Sequence, residues 1–163
     1  MLTKKISETM TAIKSPITGG PVVEIQGIQT MDFRKESYEV PVRFYKCVES
    51  GEEFTTGEQD EEWSSLLYAQ YRQKHGIPSP AQIREIRERN GLALGELTAI
   101  LGFGTNQLSQ YEKGEVPSES NGKLLSLCLK KDNLRMLLRL SKEKFSKAEY
   151  RSLYDRINSI NHQ

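Results

Sequence analysis

Three polar residues in one short stretch carry the most specific chemistry of this 163-residue chain. Asn106, Gln110 and Lys113 recur at spacings of four and three, which places two amides and one ammonium group on a single helical stripe. An Asn or Gln amide presents a donor beside an acceptor and can pair bidentately with the edge of adenine, while a Lys or a hydroxyl can hold phosphate. Thr105, Gln107 and Ser109 flank the stripe as supporting contacts, and Leu108 and Tyr111 turn the other way. Catalytic chemistry finds less support. His75 and His162 neighbour no Cys or Ser in a nucleophilic arrangement, and Gly102-Phe103-Gly104 is a turn, since no Gly-Lys-Ser/Thr follows it. The chain is therefore read as a non-enzyme without a cofactor.

The stripe needs elements that present it. A first helix opens at Ser79-Pro80, where Ser79 and Gln82 form a capping box and Pro80 takes the first helical position, and it ends at Asn90-Gly91. Ile83 and Ile86 are its apolar face. A second helix carries Leu94, Leu97, Thr98 and Leu101 and stops at the glycine turn; a third, Thr105 to Lys113, stops at Gly114 before Pro117. Two short helices across a glycine turn are the arrangement of a helix-turn-helix DNA reader, with Leu97, Leu101, Leu108 and Tyr111 as its packed side. The leucines of residues 120 to 140 supply two more helices, split near Lys131-Asp132-Asn133. A last helix follows the Ser146/Glu149 capping box, with Tyr150, Leu153, Tyr154, Ile157 and Ile160 as its stripe. That stripe either closes a dimer or packs onto the first helix.

Ahead of the linker Gly76-Ile77-Pro78-Ser79-Pro80 the pattern is β with one helix. Tyr38, Val40, Val42 and Phe44 alternate with Glu39, Pro41 and Arg43, a half-buried strand whose proline places it at a sheet edge. Val22, Val23, Ile25 and Ile28 offer an earlier strand, and residues 29 to 37 are a turn or a further short strand. After the acidic run Glu58 to Glu62, Trp63, Leu66, Leu67 and Tyr71 put an apolar stripe on a helix ending near His75-Gly76. The expected organisation is an N-terminal β-rich domain over 1–75, a linker over 76–80, a DNA-binding domain over 81–140 and a C-terminal amphipathic helix over 141–163.

Composition narrows the class. No apolar run approaches the roughly 18 residues that span a bilayer, and the basic start lacks an apolar region behind it, so neither a membrane nor a secreted protein is expected. Two cysteines 81 positions apart suit a reducing cytosol. Lys plus Arg against Asp plus Glu number 9 and 12 over residues 1–79, 4 and 5 over 80–117, and 10 and 5 over 118–163. A polyanion would meet the rear, unless those cations only solvate amphipathic helices.

Residues 83 to 114, with Asn90-Gly91-Leu92, Leu101-Gly102 and Ser109-Gln110-Tyr111-Glu112-Lys113-Gly114 as the telling parts, resemble the helix-turn-helix of the XRE and phage-repressor superfamily. The resemblance implies a structural ion pair between Arg87 and Glu112. It also shows departures: Ala93 and Leu94 stand where relatives usually have Ser and Gln, and Gln110 where many have Arg. The wider layout resembles that of MqsA-type (YgiT-like) antitoxins, whose front end runs Cys-Pro-x-Cys-Gly-Gly and later Cys-x-x-Cys-Gly. Here the corresponding segments are Ser15-Pro16-Ile17-Thr18-Gly19-Gly20 and Cys47-Val48-Glu49-Ser50-Gly51. Three of four thiolate positions carry hydroxyls, which are neutral near pH 7 and poor zinc ligands, so no metal is expected.

The expected fold is α+β, a small degenerate zinc-finger-like β domain followed by an all-α domain of five to six helices. The expected function is that of a cytoplasmic, dimeric transcriptional regulator of double-stranded DNA, an antitoxin-like repressor whose N-terminal domain holds a protein partner, a toxin if the resemblance extends that far. The alternative is an adaptor that keeps the helix-turn-helix fold without tight DNA binding.

Overall fold

The computed structural model describes residues 2–159, so Ile160 and His162, placed above on the last stripe and at the far end, lie outside the described residues. The chain divides into two compact units, Met1–Tyr71 and Arg72–Gln163.

The first unit is built on an antiparallel sheet in the order β1 (Lys4–Lys14), β2 (Pro21–Phe33), β3 (Glu36–Cys47), β4 (Glu53–Phe54). The alternation in β3 buries Tyr38, Val40, Val42 and Phe44 on one face, where Phe44 clusters with Val23 and Ile25 of β2, while Val22 and its partner Cys47 are buried on the other. Residues 29 to 37, which by sequence are a turn or a further short strand, form the rest of β2, a two-residue turn and the start of β3, with the two strands paired from Val22↔Cys47 to Phe33↔Glu36. The turn residues Arg34 and Lys35 have φ of 48° and 66°, left-handed values that hairpins normally assign to Asn and Gly. The Arg34 guanidinium compensates, lying 5.1 Å from the Phe33 ring centre and 5.2 Å from that of Tyr71.

β1 has no counterpart in the sequence reading. It is exposed along nearly its whole length, and its two register irregularities together with Lys4, Lys5 and Lys14 blunt it as an edge. The far edge is covered differently. β4 pairs only with Tyr45 and Lys46, and the carbonyls of Glu39 and Arg43 accept hydrogen bonds from Gln70 Nε2 (2.9 Å) and Trp63 Nε1 (3.2 Å) of α1 (Gly57–His75). Pro41 sits between those two carbonyls, where no N–H is needed. The face α1 turns inward carries Gln59, Trp63, Leu67 and Tyr71; Leu66, assigned above to the apolar stripe, is 37% exposed because it falls to one side of that i, i+4 row.

Two loops of this unit share one geometry. The Gly19 N–H donates to the Ser15 carbonyl and the Gly51 N–H to the Cys47 carbonyl, each at 2.9 Å, and both glycines have φ of 75°. The loops meet: Thr18 Oγ1 is 3.3 Å from Cys47 Sγ, toward which the Ser50 N–H also points at 3.5 Å. Hydrogen bonding by Ser15, Ser50 and Thr18, in that order, draws the Cys47 thiol down to about 6. One thiol and three hydroxyls do not make the donor set of a structural zinc site, and the loops are held by these hydrogen bonds.

The second unit begins inside α1, at Arg72, where the sequence reading set a linker at 76–80. Its Nη2 donates to the Gly114 carbonyl at 2.7 Å, tying the end of α1 to the helical core. Among the described residues six further α-helices follow: α2 (Pro80–Arg89), α3 (Leu94–Leu101), α4 (Gln107–Glu112), α5 (Glu119–Cys128), α6 (Lys131–Leu140) and α7 (Lys147–Ser159). The Ser79/Gln82 and Ser146/Glu149 reciprocal caps are both formed. α5 and α6 divide at Leu129-Lys130, two residues before the expected break. One core joins Ile83, Ile86, Leu97, Leu101, Leu108 and Tyr111 to Leu125, Cys128, Leu134, Leu138, Leu153 and Ile157. Burial pushes the Cys128 thiol up to about 12, consistent with a small core hydrophobe. α7 therefore packs into this unit through Leu153 and Ile157, while Tyr154 is 46% exposed. The architecture is α+β, and among the described residues no helix is long and apolar enough to cross a membrane.

Candidate nucleic-acid interface

α3 and α4 are joined by a turn that requires Gly102, whose φ of 71° and ψ of 27° are left-handed. The Phe103 N–H closes the turn onto the Thr98 carbonyl at 3.1 Å, and the Phe103 ring meets Tyr111 edge-on at 5.8 Å. α4 is shorter than expected: Thr105 lies ahead of it and Asn106 is its N-cap residue. The stripe survives, because the Gln110 N–H still donates to the Asn106 carbonyl at 3.0 Å and keeps both residues on one turn.

The buried side of α4 is clamped. Leu108 and Tyr111 enter the core, the Tyr111 hydroxyl accepts from Asn121 Nδ2 at 3.0 Å, and Glu112 is only 7% exposed. Arg87 of α2 grips Glu112 with two parallel bonds, Nε to Oε1 at 2.8 Å and Nη2 to Oε2 at 3.0 Å. The Glu112 carboxylate holds the Arg87 guanidinium above its ordinary pKa. Arg84, half exposed, stands 3.6 Å away as a second cation.

The outer side is open. Thr105, Asn106, Gln107, Gln110 and Lys113 are exposed and Ser109 is half-buried. Among the described residues, the side chains of Asn106, Gln110 and Lys113 engage no other residue. Gln107 is partly committed, its Oε1 accepting from the Gly104 N–H at 2.9 Å. The structure thus gathers all six polar residues around α4, with the amides of Asn106 and Gln110 uncommitted.

No protein-family model matches the chain, and no curated protein matches it.

Two residues near this motif were not singled out from the sequence. Lys144 lies in a single 3₁₀ turn, Lys142–Lys144, and its Nζ donates to the Ala99 carbonyl at 3.0 Å, at the C-terminal end of α3 beside the turn into α4. An ammonium there meets the negative end of the helix dipole and adds positive charge next to the open face. The other is Arg156 of α7. Ala93 gives α3 no side-chain cap, but Glu96 accepts from the Ala93 N–H at 2.8 Å, and Arg156 fixes Glu96 with bonds of 2.6 and 2.9 Å while also donating to the Gly91 carbonyl. Sixty positions separate this pair, so only the excess of cations behind residue 118 hinted at it.

The pair has a pH signature. Hydrogen bonding from Arg156, ahead of that from the Ala93 N–H, holds the Glu96 carboxyl below its ordinary range despite opposing desolvation. A depressed folded pKa contributes stability that is complete above the unfolded value, about 4.3, and is lost as pH falls through the folded one. Both side chains are about one-third exposed, so Arg156→Ala is expected to cost about 1 kcal/mol at pH 7. The gap from the parent should narrow below about pH 4, as read from urea midpoints at the two pH values. A gap that stays constant with pH would remove Glu96 from this account.

Proposed function

We propose that residues 72–163 read double-stranded DNA by placing the exposed side of α4 in the major groove, Asn106 and Gln110 reading base edges and Lys113 holding phosphate. The observation that carries this reading is the contrast across one short helix. Its inner side is locked by Leu108, Tyr111 and a doubly bonded Glu112, while its outer side offers two uncommitted amides and an ammonium group. Such a helix is rigid, and its polar groups pay no internal bond to meet a base. Thr105, Gln107 and Ser109 support the register. Charge agrees, since residues 72–163 hold 16 Lys and Arg against 10 Asp and Glu. In this reading the protein acts in the cytoplasm as a dimeric repressor, two-fold symmetry matching two half-sites.

The matched loops at Ser15–Gly19 and Cys47–Gly51 support the likeness to MqsA-type antitoxins, and with it a protein partner, a toxin, held by residues 1–71. A second reading, an adaptor without tight DNA binding, is favoured by Leu94, which is 39% exposed at the start of α3 where a phosphate-binding polar group would serve a DNA reader better.

Salt separates the two. Selection of bound duplexes from a random pool at about 50 mM salt should enrich one sequence family, and affinity for it should fall steeply toward about 200 mM as phosphate contacts release counterions. An adaptor would enrich nothing.

A further inference from the structure

The first unit contains a cavity that the DNA reading leaves unused. It is an open-sided cavity of about 220 Å³ between the sheet, β4 and the start of α1, and Phe44, Phe54, Trp63 and Leu2 line it with Gln29, Thr55 and the exposed Glu53. Trp63 is held in place by its bond to the Arg43 carbonyl, and Phe54 is backed by Tyr45 at 5.6 Å. Glu53 is the sole charged residue on the wall. Among the described residues it forms no ion pair, although Lys46 stands opposite it in the β3–β4 register, whereas Glu24 and Glu62 are both engaged by Arg43. The register places Glu53 on the same face of the sheet as Phe44, with Trp63 packed there and the Phe54 ring turned to Tyr45 on the other face, so two aromatic rings and one carboxylate with no cation on the wall form an environment selective for positive charge, because the ring faces are electron-rich and the carboxylate supplies a counter-charge.

Size and surroundings narrow the ligand. The cavity is below the roughly 300 Å³ at which pockets for drug-sized ligands begin, so it suits one side chain better than a nucleotide or cofactor. Residues 47–71 around it contain seven Asp and Glu and not one Lys or Arg, and residues 1–71 as a whole carry 7 basic against 12 acidic side chains. A field of that sign draws in a basic macromolecular surface.

We propose that this cavity binds an arginine side chain presented by a basic protein partner, its guanidinium stacked on the Trp63 and Phe44 wall and paired with Glu53. The proposal rests on the partner-holding part of the reading above and not on its DNA part.

Trp63 is the only tryptophan of the chain, so its emission reports on this cavity alone. The full-length protein, without DNA, is titrated with N-acetyl-Gly-Arg-Gly-amide and with the same peptide carrying citrulline, which keeps the shape and loses the charge. A saturable change with the arginine peptide and none with citrulline is the expected result. Glu53→Gln should weaken binding by about five-fold, as an ion pair of this exposure allows, while Glu58→Gln, in the nearby acidic run and not on the cavity wall, should leave it unchanged. Equal responses to the two peptides, equal weakening by the two variants, or no saturable response would each overturn the proposal. So would a response to tetramethylammonium without one to the arginine peptide, since that would make the ligand a free small cation. Because no DNA is present, failure here and failure of the operator selection are separate results.

Discussion

Glu112→Ala is expected to be the most destabilising single polar substitution in the helical unit, at about 3 kcal/mol. The carboxylate is 7% exposed and receives two charge-assisted bonds from Arg87, whose own side chain is 18% exposed. Deleting it leaves a largely buried guanidinium with the Leu92 carbonyl at 3.4 Å and the exposed Glu88 at 3.8 Å as its nearby acceptors, and desolvation of the stranded charge dominates the cost. Against a typical total stability of about 5–15 kcal/mol that is a large fraction, and the urea midpoint should fall clearly without a change in slope. The double variant Arg87→Met with Glu112→Leu should recover most of the loss, since it removes the orphaned charge along with its partner. Arg84→Ala, at a half-exposed position 3.6 Å from the carboxylate, should stay within about 0.5 kcal/mol. A Glu112→Ala midpoint equal to that of the parent would mean that the apolar contacts of Leu108 and Tyr111 hold α4 by themselves.

Asn106→Ala with Gln110→Ala should abolish sequence preference while leaving the fold intact. A good bidentate pair contributes about 1–3 kcal/mol of discrimination, so losing two reduces specific binding to the level of non-specific binding. Neither side chain is buried or bonded within the described chain, so circular dichroism and the urea midpoint should not move. Lys113→Ala should behave differently, weakening all sequences alike and lowering the salt slope by about 1. These patterns separate base reading from phosphate contact by competition against scrambled duplexes at two salt concentrations. A double variant that still prefers the selected sequence would remove α4 as the reading element.

Much of the helical unit was legible because its signals are local. The Ser79/Gln82 and Ser146/Glu149 caps act over three residues, the stripe of Asn106, Gln110 and Lys113 over seven, and the alternation of β3 over pairs. Each depends on the geometry of one turn or one pleat, which the chain carries in its own order. β1 is illegible in the sequence for the converse reason. Exposed along both faces, it has no buried period to read, and its place comes from pairing with β2. The Arg34-Lys35 turn lacks the usual residues for positive φ, and its compensation comes from Tyr71, 37 positions away.

By itself, then, the sequence determined the kinds of elements, most of their limits, the polar stripe on α4 and the division of charge between an acidic front and a basic rear. Tertiary structure decided which charged side chains are structural and which are open. Glu112 and Glu96 look alike in the chain, yet packing gives the first a largely buried arginine and the second one that is about one-third exposed and completes the start of α3. Packing also gathered Leu2, Phe44 and Trp63 around one cavity beside Glu53, which forms no ion pair among the described residues. The physical reason is range: caps and periodicities act over a few residues, whereas burial and ion pairing join groups 25 to 60 positions apart that only the closed fold brings within bonding distance.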